Sequence, residues 1–185
     1  MRIISGTMRG TKLFTLEGDN TRPTLDRVKE ALFSKINFDI QDSIILDLFA
    51  GSGALALEAL SRGAKKTYLC DNSRDAIKII NQNIEKTKTK DKIVLLNMDY
   101  QKALDELQKN EVKLDIVFLD PPYKTNYAEE AAKYIVEHEL LNDKGFIIIE
   151  TDDKEKVLKN IDTNILEIKE IKKYGRVFLL FLYSK

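Results

Sequence analysis

The chain is short of the residues that build covalent and metal-bound scaffolds. Among 185 residues there is one cysteine, Cys70, one histidine, His138, and no tryptophan. A lone cysteine excludes an intramolecular disulfide, and a single histidine leaves no Cys/His cluster from which to draw a metal site. No metal is expected. With only three prolines and eight glycines, the chain offers no low-complexity tract, and it shows no internal repeat. No apolar run approaches the roughly 20 residues of a membrane helix. Its start, Met1-Arg2-Ile3-Ile4-Ser5, lacks both the long apolar stretch and the small-residue cleavage site of a secretory signal. The expected setting is cytoplasmic, with no membrane partner.

Net charge is also missing: 30 basic residues balance 30 acidic ones, so there is no global pull towards nucleic acid. The balance is uneven along the chain. Residues 1–35 carry seven Lys/Arg and four Asp/Glu, and residues 1–12 carry Arg2, Arg9 and Lys12 with no acid. Hydrophobic content of 43% and charged content of 32% are those of a globular protein. The length suits a single domain over residues 1–185, with a basic hairpin at 1–16 and an α/β core at 21–185.

Two of the three prolines stand side by side, in Asp120-Pro121-Pro122-Tyr123. That tetrapeptide follows an apolar run at 113–119 and joins a carboxylate, two rigid rings and an aromatic. An ordinary turn does not need all four. At the carboxyl end of a parallel strand it stands where open α/β sheets place their ligands.

Apolar runs at 43–48, 67–70, 93–96, 113–119 and 146–150 read as strands, separated by helical patterns at 25–36, 73–84, 127–139 and 153–160 and by a helix after the glycine turn. Runs at 165–171 and 177–183 read as a closing hairpin whose turn, 172–176, is rich in Lys, Tyr and Arg. The fold class predicted is α/β: a Rossmann-like mixed seven-stranded sheet with an antiparallel C-terminal hairpin. A small hairpin around residues 6–10 precedes it, set off from the core by Glu17-Gly18-Asp19-Asn20.

The first strand ends in Asp47-Leu48-Phe49-Ala50-Gly51-Ser52-Gly53 and leads into a helix. Gly51 and Gly53 allow a sharp turn and a close approach of backbone to ligand at a helix N-terminus. Alone, this pattern fits a dinucleotide as well as an adenosyl-methionine ligand. Asp47 favours the second, because a carboxylate there attracts an amino group and repels a pyrophosphate. Asp71, 18 residues after Gly53, stands where such domains place an acid for ribose hydroxyls, and also where a helix cap would stand. Asp99 reads either as an acceptor for an adenine amino group or as a plain N-cap. Arg22, at a helix start the dipole does not favour for a cation, suggests a nearby ligand carboxylate. Arg2, Arg9 and Lys12 read either as a solvated hairpin or as contacts to a phosphate backbone.

Taken in order, these features resemble the class I S-adenosylmethionine-dependent methyltransferases, and the tetrapeptide resembles the motif of those that methylate exocyclic amines. Thr21-Arg22-Pro23-Thr24, the stretch from Asp47 through Leu55, Glu58-Ala59-Leu60-Ser61-Arg62-Gly63-Ala64 and Asp120 through Tyr123, standing together, narrow the resemblance to the RsmD family. The resemblance spans essentially the whole chain. It implies methyl transfer to the N2 amine of guanine 966 in small-subunit (16S) ribosomal RNA, within an assembling subunit, by a monomer. It implies S-adenosylmethionine as cofactor and S-adenosylhomocysteine as product. It assigns Arg22, Thr24, Asp47, Phe49, Gly51, Ser52, Gly53, Asp71, Asp99 and Tyr100 to the cofactor, and Asp120, Pro121, Pro122 and Tyr123 to catalysis. Arg2, Arg9 and Lys12 are assigned to RNA. Methylation of another RNA or DNA base, or a nicotinamide-dependent oxidoreductase, remain alternatives at this point.

Overall fold

The structure is a computed structural model that describes residues 1–16, 23–122 and 125–185, with side chains from Asp26 onward in the first helix. Seven strands make one sheet: β1 (Ile44–Asp47), β2 (Lys66–Asp71), β3 (Ile93–Asn97), β4 (Leu114–Leu119), β5 (Leu141–Thr151), β6 (Leu166–Tyr174) and β7 (Val177–Ser184). Their spatial order is β3-β2-β1-β4-β5-β7-β6. The first five are parallel, and β7 runs antiparallel between β5 and β6. The chain winds outwards from β1 in one direction and from β4 in the other. A crevice therefore opens beyond the carboxyl ends of these two neighbours.

Among the described residues six α-helices cover the sheet: α1 (Pro23–Lys35), α2 (Ala54–Ser61), α3 (Arg74–Thr87), α4 (Tyr100–Lys109), α5 (Tyr127–Glu137) and α6 (Lys154–Asn160). Strand residues alternate between the two faces. Leu46, Val117 and Ile149 pack with Ala103 of α4 and Ile135 of α5, whereas Ile45, Phe118 and Ile148 pack with Leu32 and Phe33 of α1 and Leu60 of α2. Each such aliphatic side chain contributes about 1.5–3 kcal/mol by leaving water. Among the described residues no helix is long and apolar enough to cross a membrane.

The seven-stranded mixed sheet agrees with the sequence expectation. Its fifth strand, however, begins at Leu141 rather than at residue 146, pairing with Leu114 ahead of an irregularity in the β4 register. Gly145 serves that close pairing: a Cβ on it would lie 2.7 Å from the Leu114 carbonyl oxygen. The final turn shrinks to Gly175 and Arg176 because β6 continues through Tyr174.

The N-terminal hairpin is also tighter than expected. It reduces to a bridge between Arg2 and Lys12, and it is docked on α2. Glu58, fully buried, accepts from Ile4 N at 2.7 Å and Ser5 N at 3.1 Å. Lys29 Nζ of α1 lies 3.3 Å from the same carboxylate and donates to the Arg2 carbonyl at 2.5 Å. Arg62 Nε donates to it at 2.8 Å. Residues 17–20, expected as a linker, lie outside the described residues.

Candidate active site

The glycine turn after β1 has the conformation its residues require. Gly51 and Gly53 have φ of 54° and 74°, in the left-handed region that other residues seldom adopt. A Cβ on Gly53 would lie 2.9 Å from Leu69 Cδ2, whereas one on Gly51 would meet nothing within 4 Å. The Gly51 backbone is thus open to a ligand. The turn is held from behind on two sides. Asp71 accepts from Gly51 N at 2.9 Å and from Ser73 N at 2.9 Å. Buried Asn83 of α3 donates to the Ser52 carbonyl at 2.9 Å, and its amide also pairs with both backbone groups of Phe14, at 2.8 and 3.0 Å.

Beside this turn lies a cavity of about 160 Å³, lined by Asp47, Phe49, Gly51, Ser52, Asp120 and Glu150 together with α1 side chains. Asp47 is only 2% exposed, and its Oδ2 has no hydrogen-bond partner among the described residues. Burial first, and the Asp71 carboxylate second, push its carboxyl up to about 7, against the pull of the Ala56 amide. A buried acceptor in that state is stabilised by any cationic donor that enters. The donor set fits an amino-acid-bearing cation such as the methyl donor: an unpartnered carboxylate, an open glycine backbone and further acids on one wall.

A second cavity, of about 470 Å³, adjoins through Glu150, which lines both. Pro121, Pro122, Thr125, Glu129 and Lys156 form its other walls. Its volume falls within the roughly 300–1,000 Å³ usual for ligand pockets. Glu129 is 6% exposed and its Oε1 lacks a partner among the described residues. Lys156 Nζ donates to the Thr125 carbonyl. A larger cavity, about 580 Å³, opens by Lys113 and Asn142 at the opposite end of β4 and β5, away from the crevice.

Of the residues singled out in the sequence, Asp47, Phe49, Gly51, Ser52 and Asp120 meet at the first cavity, and Pro121 and Pro122 at the second. Gly53, Asp71, Asp99 and Tyr100 line neither cavity. Asp99 caps α4, accepting from Gln101 N at 3.0 Å. Tyr100 is buried, donates to Glu130 Oε2 at 2.7 Å and packs on Phe49 at 5.5 Å between ring centroids. Arg2 and Arg9 are exposed and line a separate 210 Å³ cavity whose acids, Asp26 and Glu30, offset their charge. Lys12 is exposed opposite Arg2. Arg22, Tyr123 and the side chain of Thr24 lie outside the described residues. Glu150, Glu129 and Lys156 were not singled out. Glu150 alone had a readable signal, an acid ending an apolar strand as Asp47, Asp71 and Asp120 do.

Comparison with known proteins places this arrangement. A family described as Conserved hypothetical protein 95 matches residues 1–183. Ribosomal RNA small subunit methyltransferase D of Haemophilus influenzae is 39% identical over 155 residues, covering 82% of this chain and 79% of the relative. Bacillus subtilis YlbH is 35% identical over 170 residues, 92% of each chain. The solved structure of Escherichia coli yhhF superposes with a TM-score of 0.84 at 31% identity, covering 100% of this chain and 98% of that one. These matches displace the oxidoreductase alternative: the chain belongs to the RsmD family of methyltransferases.

Proposed function

We propose that this protein transfers the methyl group of S-adenosylmethionine to the exocyclic N2 amine of a guanine in small-subunit (16S) ribosomal RNA, at the position the family numbers 966. The setting is the cytoplasm, the enzyme acts as a monomer, and the substrate is RNA in an assembling small subunit. The observation that carries the reading is the shared cavity of Asp47 and Asp120: Asp47, whose buried Oδ2 has no partner among the described residues, lines the same space as the acid that opens the Asp-Pro-Pro-Tyr sequence.

Bound S-adenosylmethionine supplies an electrophilic methyl group on a sulfonium. Asp47 would accept from its ammonium group, and Arg22 and Thr24 would hold its carboxylate. The amides of Gly51, Ser52 and Gly53 shape the turn around it. Asp71, steadied by two backbone amides, keeps lone pairs for the ribose hydroxyls, while Asp99 serves the adenine amine and Phe49 and Tyr100 flank the ring. The target base leaves its stack, at a cost of a few kcal/mol, and stacks on Tyr123. The Asp120 carboxylate and the Pro121 carbonyl accept the two amine hydrogens, which localises the nitrogen lone pair. S-adenosylmethionine would supply the methyl group that this lone pair takes up, and Asp120, already bonded to the amine, is placed to accept the proton that the methylated nitrogen gives up. Pro121 and Pro122 hold the turn through their fixed φ. Catalysis is orientation and preorganised electrostatics. Arg2, Arg9 and Lys12 contact RNA phosphates.

The test is methyl transfer from labelled S-adenosylmethionine to small subunits purified from cells lacking the gene, with mapping of N2-methylguanosine. One new N2-methylguanosine is expected. Label that appears on a different atom, or no label at all, overturns the reading.

A further inference from the structure

The described walls of the crevice hold more acceptors than the amine itself requires. In the parallel β4–β5 ladder Leu119 stands opposite Ile149, so the residues that follow, Asp120 just past the end of β4 and Glu150 still within β5, stand side by side on strands about 4.8 Å apart. Both face the smaller cavity with Asp47, and Glu150 also faces the larger one with Pro121 and Pro122. Glu150 therefore sits on the boundary between the methyl-donor side and the acceptor side. Burial pushes its carboxyl above the usual carboxylate range. Across the larger cavity the Glu129 Oε1 is buried and without a partner among the described residues, so these walls are short of donors. Lys156 brings one ammonium group to the same cavity.

The edges of the bases differ at one atom. Next to its exocyclic amine, guanine carries N1–H, a donor, and beyond it O6, an acceptor. Adenine and cytosine carry a bare ring nitrogen, an acceptor, next to theirs. A carboxylate beside the amine-binding site bonds the first and repels the lone pair of the others. We propose that Glu150 is a specificity-determining residue: its carboxylate accepts from guanine N1–H while Asp120 and the Pro121 carbonyl hold the N2 amine, and Lys156 faces O6. This rests on the guanine-amine reading above and adds the group that tells guanine from other amines.

2-Aminopurine separates the two ideas, because it keeps the N2 amine but has a bare N1 and no O6. Small-subunit RNA is ligated to carry either guanine or 2-aminopurine at the methylated position, reconstituted into particles and assayed by single-turnover methyl transfer. The wild type should favour guanine about 10-fold or more, the loss expected for a hydrogen bond to a charged group. Glu150→Gln should slow transfer to guanine about 10-fold and shift the preference towards 2-aminopurine by at least as much, since the amide NH2 donates to bare N1. Thermal shift with S-adenosylmethionine should be unchanged, showing an intact donor side. Equal rates of the wild type on the two RNAs overturn the proposal whether or not the variant folds. So does a folded variant that keeps the wild-type preference. A wild type that methylates neither RNA overturns instead the proposed function, and this inference with it.

Discussion

Replacing Asp47 with asparagine should make the ligand-free protein more stable and worse at binding its methyl donor. Burial, then Asp71, raise the Asp47 carboxyl from 3.8 to about 7. The folded protein thus holds this proton more tightly than the unfolded chain does. Below about pH 4 both states are protonated and the group contributes nothing; as pH rises to about 7 stability is lost, and above that the cost is complete. It corresponds to about 4 kcal/mol, an upper figure. Asparagine stays neutral, but its amide NH2 takes the place of an oxygen that has no partner, at a cost of about 1–3 kcal/mol. The net expectation is a gain of about 1–3 kcal/mol at pH 8 and none at pH 4.5, hence a Tm higher by several degrees only at the higher pH. Melting curves of both proteins across that range, without ligand, make the measurement. Calorimetric titration with S-adenosylmethionine should show affinity falling about 10-fold or more. Parallel pH–stability curves for the two proteins would refute the argument, because a cost that does not depend on ionisation is not the cost of a buried charge.

Asp120→Ala should lower single-turnover methyl transfer about 10- to 150-fold by removing a charge-assisted hydrogen bond, with Asp120→Asn retaining part of the rate; undiminished transfer in the alanine variant excludes the assigned role. Glu58→Ala strips Lys29, itself 4% exposed, of its carboxylate and frees the amides of Ile4 and Ser5. Urea unfolding should show a loss of about 3–5 kcal/mol, and a change below about 1 kcal/mol would mean that the hairpin is not held there. Cys70, whose thiol burial first and then Asp71, Asp99 and Asp47 push up to about 12, should resist iodoacetamide at pH 8 in the native protein and react once unfolded. Rapid native alkylation would count against its burial.

The sheet was legible because its strands are short apolar runs that each stop at a polar residue, and because the runs fall in the order that doubly wound sheets use. Asp47 and Asp120 were legible for the same reason, each standing at the end of such a run, and Gly51 because it opens the glycine pair just beyond the first. The start of β5 was not, since Asn142-Asp143-Lys144-Gly145 has the composition of a turn and joins the strand only as an irregularity between the pairs Leu114–Leu141 and Ile116–Phe146. Nor were the residues that hold the site. Glu58 and Asn83 sit in helical patterns as ordinary polar positions, and their partners lie 54 and 69 residues away in sequence. Asp71 showed the same limit: its place after β2 was clear, but its bond to the Gly51 amide depends on a turn 20 residues earlier.

Two buried carboxylates on one side of this sheet show how structure separates holding the fold from holding a ligand. Glu58 is fully buried, and its own chain supplies the Ile4 and Ser5 amides, Arg62 Nε and Lys29 Nζ. Asp47 is almost as buried, receives the Ala56 amide and leaves Oδ2 without a donor among the described residues. If both were there for stability, the second would be a defect costing more than the hydrophobic gain of a typical core side chain. On the proposed function it is tolerated because the donor missing among the described residues comes with the ligand, as is usual where function and stability pull apart. By the same reasoning Glu129, whose Oε1 is also buried and unpartnered against the acceptor cavity, belongs with Asp47 rather than with Glu58. The open acceptors lie along the crevice of β1, β4 and β5, whereas the satisfied one lies beneath the hairpin that closes its flank.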